Sequence, residues 1–453
     1  MSALERLADG LWNPWLLGLF LLTGLWYSVR TGFFQLFGLP VWLRATVGRL
    51  FTRRERGKGG LSQTQALATA LASTIGTGSI AGVATAIVLG GPGAVFWMWV
   101  SALLGMMTGC AEKTLAVRYR ERGADGGWQG GPMCYMAQGL GRRGLAAVFC
   151  VCCLGSSLAG GNLVQANSIS TALEAAWGCP RLAVGLVTAL ACGAVIWGGV
   201  GRIGQVSERL VPLMALLFLA GGCIVLWVRA EAIPGALVAI VQGAFHPAAP
   251  LGYSAGAAVR YGVARGVFTN EAGMGSSAMA HAAARVKDPA EEGMWGILEV
   301  AVATLLVCTV TALVILTTGV YHPAETGAML ANGAVPEMGA PLAARAFSTV
   351  LGEAGTALVA VSLLLFAFTS LVGWSYYGER CLSWLTGGGE RGRRWYRLFF
   401  LGAIVAGSTG ELGAVWQLAD LWNGLMALPN LTALLLLTPQ ALKLLRPWIY
   451  KKR

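Results

Sequence analysis

Two glycine-rich segments, Ser73–Ser79 (STIGTGS) and Thr269–Gly275 (TNEAGMG), interrupt apolar runs of membrane-spanning length. Within lipid, backbone N–H and C=O groups that leave a helix are tolerated only where they are buried in protein or line a cavity. Two such interruptions in corresponding parts of a hydrophobic chain are the sequence pattern that best indicates the binding site of a secondary transporter. We therefore expect both breaks to face a substrate or an ion.

The first break offers two kinds of binding group. A half-helix that begins at Ile80 presents free N–H groups and a positive dipole end, which suit a carboxylate. A half-helix that ends near Ala72–Ile75 presents free carbonyls, which suit Na⁺. Gly76 and Gly78 let a ligand approach the backbone closely. The second break offers the same two kinds of binding group, with its half-helices running in the opposite direction across the membrane. The alternative is close helix packing by small residues, which is common in membranes.

Three acidic residues lie within apolar spans, where a charge is costly and indicates a functional residue by default. Glu112 lies near the inner end of one span, Glu271 inside the second break, and Glu299 early in an otherwise uncharged span. For Glu271, three roles are open: bracing the broken backbone, which is favoured, pairing with a cation, or carrying a proton. Arg265, one turn before the second break, needs a partner, and a nearby acid is the natural candidate.

Two further polar groups are candidates for a pocket. Gln165 lies in the polar segment 161–168 (GNLVQANS), which predicts either interhelical hydrogen bonds or pocket lining. Thr369 and Ser370 offer hydroxyl oxygens to a hard cation, although hydroxyls also commonly bond back to their own helix. Trp374 follows one turn later, on the same face as Ser370.

Catalytic sequence motifs are missing. The chain has three histidines, two of them in predicted outer loops, and contains no HExxH, GxSxG or GxxxxGK[ST] sequence. Its ten cysteines lie mostly in apolar runs without metal-ligand spacing, which favours helix packing over metal or disulfide chemistry. We therefore expect neither an enzyme nor a bound cofactor.

The composition places these groups in a polytopic membrane protein. Of the 453 residues, 56% are hydrophobic and only 12% are charged, against roughly a quarter charged in soluble domains. We predict an all-α fold with about eleven transmembrane helices. Nine of the apolar spans are Leu11–Val29, Ala66–Leu89, Ala94–Val117, Leu145–Ala172, Leu182–Val200, Leu210–Val228, Ala257–Ala284, Trp295–Thr318 and Ala354–Tyr377. Segment 396–445 contributes two more, which are split near residues 407–411 and are the weakest part of the assignment.

The net charge of +12 reflects membrane topology. If the N-terminus lies outside, 26 of the 33 Lys and Arg residues fall in inner segments and four in outer ones. The positive-inside rule then predicts a multi-pass protein of a bacterial cytoplasmic membrane with its C-terminus inside. Such placement argues against nucleic acid as a partner, and the partners expected are the lipid bilayer and a small solute.

The span order predicts three regions. Residues 1–60 form a peripheral N-terminal helix, retained rather than cleaved, and a basic cytoplasmic loop. Residues 61–230 and 231–453 form two five-helix repeats, each opened by a broken helix, and the second carries outer loops and the cytoplasmic tail. Because five is odd, the repeats have opposite membrane orientations, which is the inverted-repeat arrangement with its site near the midplane. Pro341–Val350 is predicted to be a short amphipathic helix, either an outer gate or a surface helix.

Several blocks resemble the alanine or glycine:cation symporter family. The match runs from about residue 60 to 380 and is specific, because the block around the second break is not a generic membrane pattern. These blocks are GTGSIAGVATAI (76–87), GGPGAVFWMW (90–99), GPM (131–133), VQANS (164–168), GVFTNEAGMG (266–275) and AHAAA (280–284). The resemblance implies the fold of the amino acid–polyamine–cation superfamily, shared with the bacterial neurotransmitter:sodium symporters.

The resemblance also implies roles for individual residues. A sodium ion would lie between the carbonyls of Ala72 and Ile75 and the pair Thr369–Ser370. A second sodium would involve Ser79 and Thr269, but the family usually has Asn where this chain has Ser79, which bears directly on that second ion. The substrate would contact Gly76, Thr77, Gly78, Gln165, Phe268, Asn270, Gly273, Met274 and Trp374.

Two structural expectations accompany these roles. The carboxylate of Glu112 should accept hydrogen bonds from backbone N–H groups near Ala272–Gly275, as the acid at this place does in the wider fold. Trp374, Met274 and Phe268 should form a wall that excludes large side chains, although core packing is the alternative for Trp374.

The activity implied is uptake of alanine, glycine or both, coupled to Na⁺ by alternating access. Two alternatives remain: a proton-coupled carrier of another small zwitterion, and, in a different class, a channel or an amino-acid-sensing receptor. The oligomeric state does not follow from the sequence.

Overall fold

Long helices dominate the computed structural model of this chain, which describes residues 7, 10–50, 60–123, 126–245, 254–334, 336–410 and 412–450. An α-helix satisfies all its backbone hydrogen bonds within one segment, so it is the natural form for apolar spans in lipid. Part of the predicted basic loop (51–59), part of an outer connection (246–253) and the last three residues of the tail lie outside the described residues.

Five described helices are long and apolar enough to cross a membrane, or six if a pair bent by 66° is counted as one span. The bent pair is Val415–Leu436 with Thr438–Ile449. The five are Gly93–Arg118, Arg143–Trp177, Gly199–Val228, Pro289–Thr317 and Glu353–Thr386. Shorter apolar helices are Ala81–Gly90, Arg181–Ile196 and Ala230–Phe245. The protein is therefore a multi-pass membrane protein.

The remaining helices connect or flank these spans. They are Pro14–Arg30, Phe34–Phe37, Leu39–Ala45, Val47–Leu50, Gln63–Thr74, Pro132–Cys134, Ala255–Asn270, Ala278–Ala282, Pro323–Ala331, Ala340–Leu351 and Glu390–Thr409. The first helix of the bent pair spans Leu412–Leu436 in full. Helix Ala340–Leu351 confirms the amphipathic helix predicted at Pro341–Val350, and its Leu342 and Phe347 are buried. A two-stranded hairpin, Glu121–Arg122 with Trp128–Gln129, was not predicted.

The first long helix, Pro14–Arg30, packs along Gly93–Arg118 and Leu412–Leu436. Its Tyr27 is fully buried and donates a hydrogen bond to the Leu434 carbonyl at 2.6 Å. The opposite side of this helix exposes large apolar side chains such as Leu22 and Trp26, as expected for a face in contact with lipid.

The first break occurs where the sequence predicts it. Helix Gln63–Thr74 begins with a capping box formed by Ser62 and Gln65. It ends at Thr74, a single turn follows at Thr77–Ser79, and a new helix runs from Ala81 to Gly90. The chain therefore enters and leaves the break as two short helices.

The second break requires left-handed backbone. Helix Ala255–Asn270 ends with Glu271 at φ 54°, and Gly273 and Gly275 have φ values of 93° and 81° before helix Ala278–Ala282 begins. Glycine adopts such angles without steric cost, whereas Glu271 must be held there by its surroundings.

Candidate functional site

The two breaks meet at one small cavity. Its lining comes from both breaks and from helices Arg143–Trp177, Glu353–Thr386 and Leu412–Leu436. Six of the nine residues predicted to contact substrate line it: Gly76, Gly78, Gln165, Phe268, Met274 and Trp374. The other three, Thr77, Asn270 and Gly273, lie in the breaks but outside the lining. The cavity volume is about 10 Å³, close to the room that one water molecule needs.

Gln165 and Ser370 hold the first break from two sides. The Oε1 atom of Gln165 accepts the N–H of Thr77 at 3.4 Å, and its Nε2 atom donates to the Gly160 carbonyl at 3.0 Å. A Cβ atom at Gly76 would lie 2.6 Å from the Ser370 hydroxyl oxygen and 3.3 Å from Oε1 of Gln165. Residue 76 must therefore be glycine for these helices to approach the break.

Large aromatic side chains border the cavity. Trp374 packs so closely on Gly161 that a Cβ atom there would lie 2.3 Å from its Cγ atom. The Phe268 ring lies 2.9 Å from where a Cβ atom at Gly78 would stand. Trp374 also packs edge-on against Tyr377, with ring centroids 5.6 Å apart. Trp374 thus lines the cavity and also packs in the core, and its exclusion of large side chains stays a prediction.

The two hydroxyls predicted to bind sodium point to different neighbours. Ser370 donates to the carbonyl oxygens of Ala72 and Ser73, at 3.0 and 3.3 Å. The Thr369 hydroxyl instead contacts the Phe366 carbonyl of its own helix at 3.0 Å and the Met214 sulfur at 3.4 Å. Only Ser370 touches the first break directly.

The Cys308 thiol lies close to the hydroxyls of Ser79 and Thr269, and the buried Ser79 hydroxyl has no hydrogen-bond partner among the described residues. The Ser79 carbonyl accepts a hydrogen bond from Thr311 at 2.9 Å, and the Thr269 hydroxyl bonds back to the Arg265 carbonyl at 2.8 Å. A thiol is a soft ligand, whereas sodium prefers hard oxygen atoms. This position therefore offers less favourable chemistry for a cation than the position at Ser370.

The carboxylate of Glu112 confirms the hydrogen bond predicted for it. Its Oε1 atom accepts the N–H of Gly273 at 3.0 Å and the side-chain amide of Asn430 at 2.6 Å. The same amide nitrogen donates to the Gly273 carbonyl at 2.9 Å, and the Tyr135 hydroxyl contacts the amide oxygen. Asn430 follows Pro429 in helix Leu412–Leu436 and was not predicted to belong to the site.

Glu271 and Asn270 brace the second break. The Glu271 carboxylate accepts a hydrogen bond from the Ser276 hydroxyl, five residues along the same break. The Asn270 side-chain oxygen accepts the N–H of Ala272 at 3.0 Å. These bonds hold Glu271 in its left-handed conformation. Glu271 is also one of the residues that line the cavity.

An ion pair lies one turn from the second break. Both terminal nitrogens of Arg265 donate to the Asp420 carboxylate, at 3.1 and 3.0 Å. The guanidinium also stacks over Trp416 at 5.0 Å, and Trp416 contacts Phe268 with ring centroids 5.2 Å apart. The acid expected to pair with Arg265 is therefore Asp420, from a helix that begins more than 140 residues later.

A buried network of charged groups continues from Glu112. The Lys113 ammonium lies 3.3 Å from Glu299 and 3.8 Å from Glu112, and all three side chains are fully buried. The same Glu299 oxygen lies 3.1 Å from Nε2 of His281, whose Nδ1 atom lies 2.7 Å from Glu292. Within the described part of the chain, no group of three or more His, Cys, Asp or Glu side chains is arranged to hold a metal ion.

Sequence reasoning missed four residues of the lining: Ser73, Thr74, Gly160 and Asn423. Ser73 and Thr74 lie directly before the first glycine, so proximity to the break was an available signal. Asn423 carried a weaker one, because a polar amide in an apolar span is a candidate for function. Gly160 carried none, because a small residue in a membrane helix usually packs against a neighbouring helix.

A sequence model of the sodium:alanine symporter family matches residues 1–453. The chain belongs to this family. Among its relatives are the sodium/alanine symporter AgcS of Methanococcus maripaludis, 40% identical over 97% of this chain and 95% of that one, and an uncharacterized transporter of Haemophilus influenzae, 41% identical over 96% and 93%. A probable sodium/glutamine symporter, GlnT of Bacillus subtilis, is 36% identical over 98% and 90%.

Solved structures share the fold of this family member. The transporter MhsT in complex with L-phenylalanine aligns with a TM-score of 0.58 over 87% of this chain and 96% of that chain, at 16% identity. A manganese transporter of Eremococcus coleocola aligns with a TM-score of 0.52 over 85% and 78%, also at 16% identity. The protein is thus a multi-pass membrane transporter with a fold that solved transporters also have.

Proposed function

We propose that this chain is a secondary active symporter that imports a small neutral amino acid, alanine, glycine or both, together with Na⁺ by alternating access. The observation that supports this most strongly is the cavity between two broken helices, which joins helix ends, a glutamine and aromatic side chains in one place. Membership of the sodium:alanine symporter family supports the same substrate class.

The substrate carboxylate is proposed to bind the backbone at Gly76, Thr77 and Gly78, where a helix N-terminus favours negative charge. The cavity has a volume of only about 10 Å³, so the surrounding side chains must separate for an amino acid to enter. A relative is a probable sodium/glutamine symporter, so family membership alone does not determine the side chain accepted. The border formed by Trp374 and Phe268 favours a small one.

Sodium is proposed to bind between the Ala72 and Ile75 carbonyls and Ser370. The support is the 3.0 Å contact from the Ser370 hydroxyl to the Ala72 carbonyl, because two oxygens at this distance can turn toward one cation. A second ion at Ser79 and Thr269 has weaker support because of the neighbouring Cys308 thiol. The ratio of Na⁺ to amino acid taken up distinguishes one ion from two.

The proposed architecture is a peripheral helix followed by two five-helix inverted repeats. Each half begins with a broken helix, Gln63–Thr74 with Ala81–Gly90 in one and Ala255–Asn270 with Ala278–Ala282 in the other. The distribution of Lys and Arg supports an N-terminus outside and a C-terminus inside a bacterial cytoplasmic membrane. Cysteine labelling from each side of the membrane, with one accessible cysteine introduced per loop, tests this orientation.

The proposed function is tested by uptake of radiolabelled alanine and glycine into proteoliposomes containing the full-length protein, with Na⁺ and pH gradients imposed separately. We expect saturable uptake that requires an inward Na⁺ gradient. Uptake driven by a pH gradient alone would indicate a proton-coupled carrier. Flux that never saturates would indicate a channel, and binding without any flux would indicate a receptor.

A further inference from the structure

His281 is bound by a carboxylate at each of its two ring nitrogens. Its Nδ1 atom lies 2.7 Å from Glu292 and its Nε2 atom 3.1 Å from Glu299. All three side chains are fully buried. We refer to Glu292, His281 and Glu299 as the triad.

The triad needs one proton more than its neutral histidine can supply. A neutral imidazole has one N–H group, and an ionised carboxylate can only accept hydrogen bonds. Two hydrogen bonds between ring nitrogens and carboxylate oxygens therefore require two protons. The second proton resides either on the ring, as imidazolium, or on one of the carboxyl groups. In both cases the triad, as it stands, binds one exchangeable proton.

The surrounding charges do not remove this requirement. Helix Gly93–Arg118 contributes Lys113, whose ammonium lies between Glu299 and Glu112 at 3.3 and 3.8 Å. Beyond that helix, the Arg120 guanidinium donates to the carbonyls of residues 282, 284 and 286, which flank the triad. These cations lie near the carboxylates, but they do not change the proton count at His281, which is set by the hydrogen bonds at its two ring nitrogens.

The other elements packed against His281 bring further polar and charged groups close to the triad. Helix Glu353–Thr386 contributes the Tyr376 hydroxyl, 3.5 Å from the Met279 carbonyl, and carries Arg380, which stacks on Tyr376 at 5.1 Å. Half-helix Gln63–Thr74 and strand Trp128–Gln129 contain no titratable residue. Glu271 of the second break adds a further buried acid.

The triad is separated from the protein surface by Gln63. The Gln63 amide donates to Glu292 and to Glu291, both at 3.0 Å. Glu291 in turn contacts Arg49, whose side chain is 45% exposed. Gln63 is the first residue of the first half-helix, so a movement of that end would uncover Glu292 to solvent.

We propose that the Glu292–His281–Glu299 triad is a proton-binding site that exchanges with the cytoplasm when Gln63 leaves Glu292. This inference rests on the proposed alternating-access function and orientation. The closed arrangement requires the bound proton, so an opened transporter that loses it to an alkaline cytoplasm recloses slowly. Cytoplasmic pH, and not external pH, therefore controls how fast the transporter returns to its starting state.

The decisive variant is Glu292→Gln. A glutamine amide donates to Nδ1 of a neutral His281 and still accepts from Gln63, so the closed arrangement no longer needs the added proton. Glu208→Gln is the matched control, because Glu208 contacts Thr64 and Gln65 of the same half-helix, at 3.2 and 3.3 Å.

The transport test uses right-side-out membrane vesicles with external Na⁺ and pH held constant while internal pH is varied across neutrality. We expect alanine uptake by the wild type and by Glu208→Gln to fall several-fold as the interior becomes alkaline. Uptake by Glu292→Gln should not change with internal pH. The proposal would be overturned if uptake by Glu292→Gln fell with internal pH as steeply as wild-type uptake does. It would also be overturned if wild-type uptake depended on external pH instead of internal pH.

A second measurement needs no transport. Infrared difference spectra of the purified protein without substrate, recorded across a pH jump, should show an imidazolium or carboxyl signal in the wild type that Glu292→Gln lacks. Absence of that signal in the wild type would also overturn the proposal. If the wild type carries no amino acid at all, the proposed function fails while the infrared result still decides whether the triad binds a proton.

Discussion

The carboxylate of Glu112 accepts the backbone N–H of Gly273 at 3.0 Å. This bond joins an intact helix to a segment whose left-handed glycines cannot form helical hydrogen bonds of their own. Asn430 completes the connection by bonding to both Glu112 and Gly273. The geometry of the second break therefore depends on a carboxylate that is distant in sequence from it.

Glu112→Gln should lower initial uptake roughly tenfold while leaving the amount of folded protein almost unchanged. An amide keeps the shape but replaces two charge-assisted hydrogen bonds by neutral ones, each weaker by about 1 kcal/mol. Uptake per mole of purified protein in proteoliposomes measures the effect. Glu174→Gln is the control, because Glu174 forms an exposed ion pair with Arg181 at 2.6 Å, which contributes little. Wild-type uptake by Glu112→Gln would show that the charge is not needed.

Ser370→Ala should raise the Na⁺ concentration needed for half-maximal uptake by about an order of magnitude, because it removes a hydroxyl oxygen that can coordinate the cation. Thr369→Val removes a hydroxyl of the same kind from the adjacent position, where it contacts Phe366 and Met214 instead of the break. Its effect on the Na⁺ requirement should be smaller. The Na⁺ dependence of alanine uptake compares the two, and a larger effect of Thr369→Val would move the ion to that residue.

Trp374→Ala should allow leucine and methionine to compete with alanine, because the indole forms one wall of the cavity. It should also destabilise the protein by about 3–5 kcal/mol, the usual cost of truncating a buried Trp. Trp422→Ala is the matched control: Trp422 packs on Gly155 as Trp374 packs on Gly161, but does not line the cavity. Competition assays on variants of measured thermal stability separate the two effects, and failure of leucine to compete in folded Trp374→Ala would place the wall elsewhere.

Asp420→Asn should accelerate release of bound substrate to the outside by up to about tenfold, because a partly buried two-bond ion pair with Arg265 contributes about 1–3 kcal/mol. The pair lies over the aromatic contact between Phe268 and Trp416, and its opening loosens that contact. Glu337→Gln breaks an exposed pair with Arg345 at 3.1 Å and should leave release unchanged. Counterflow exchange measures the rate of substrate release from each variant. Equal release rates for Asp420→Asn and the wild type would exclude a gating role for the Arg265–Asp420 ion pair.

The positions of the two breaks follow from the local sequence, whereas most of the residues that contact the breaks come from distant parts of the chain. Glycine clusters inside apolar spans predict both interruptions because glycine leaves helical geometry with little steric cost. The partner of Arg265 could not be identified from sequence, since Asp420 is 155 residues away. The triad could not be identified either: His281 has no local motif, and its geometry depends on how the second break places it against the next helix.

For the adjacent residues Thr369 and Ser370, the directions of the side chains follow from the sequence once the helix is predicted. Adjacent residues on an α-helix point about 100° apart, because a turn has 3.6 residues. Two consecutive hydroxyls therefore rarely face the same neighbour, and in the structure only Ser370 reaches the first break. The assignment of both hydroxyls to one sodium ion stays a prediction, and the comparison of Ser370→Ala with Thr369→Val tests it.

Lys113 has a consequence for how the protein is made. Its ammonium is fully buried beside Glu299, a residue synthesised only after the second broken helix. Until then, the partner available to this ammonium is Glu112, the preceding residue of the same helix, 3.8 Å away. The buried charge cluster around Lys113 is therefore complete only once the second half of the chain has been made and Glu299 has packed against helix Gly93–Arg118.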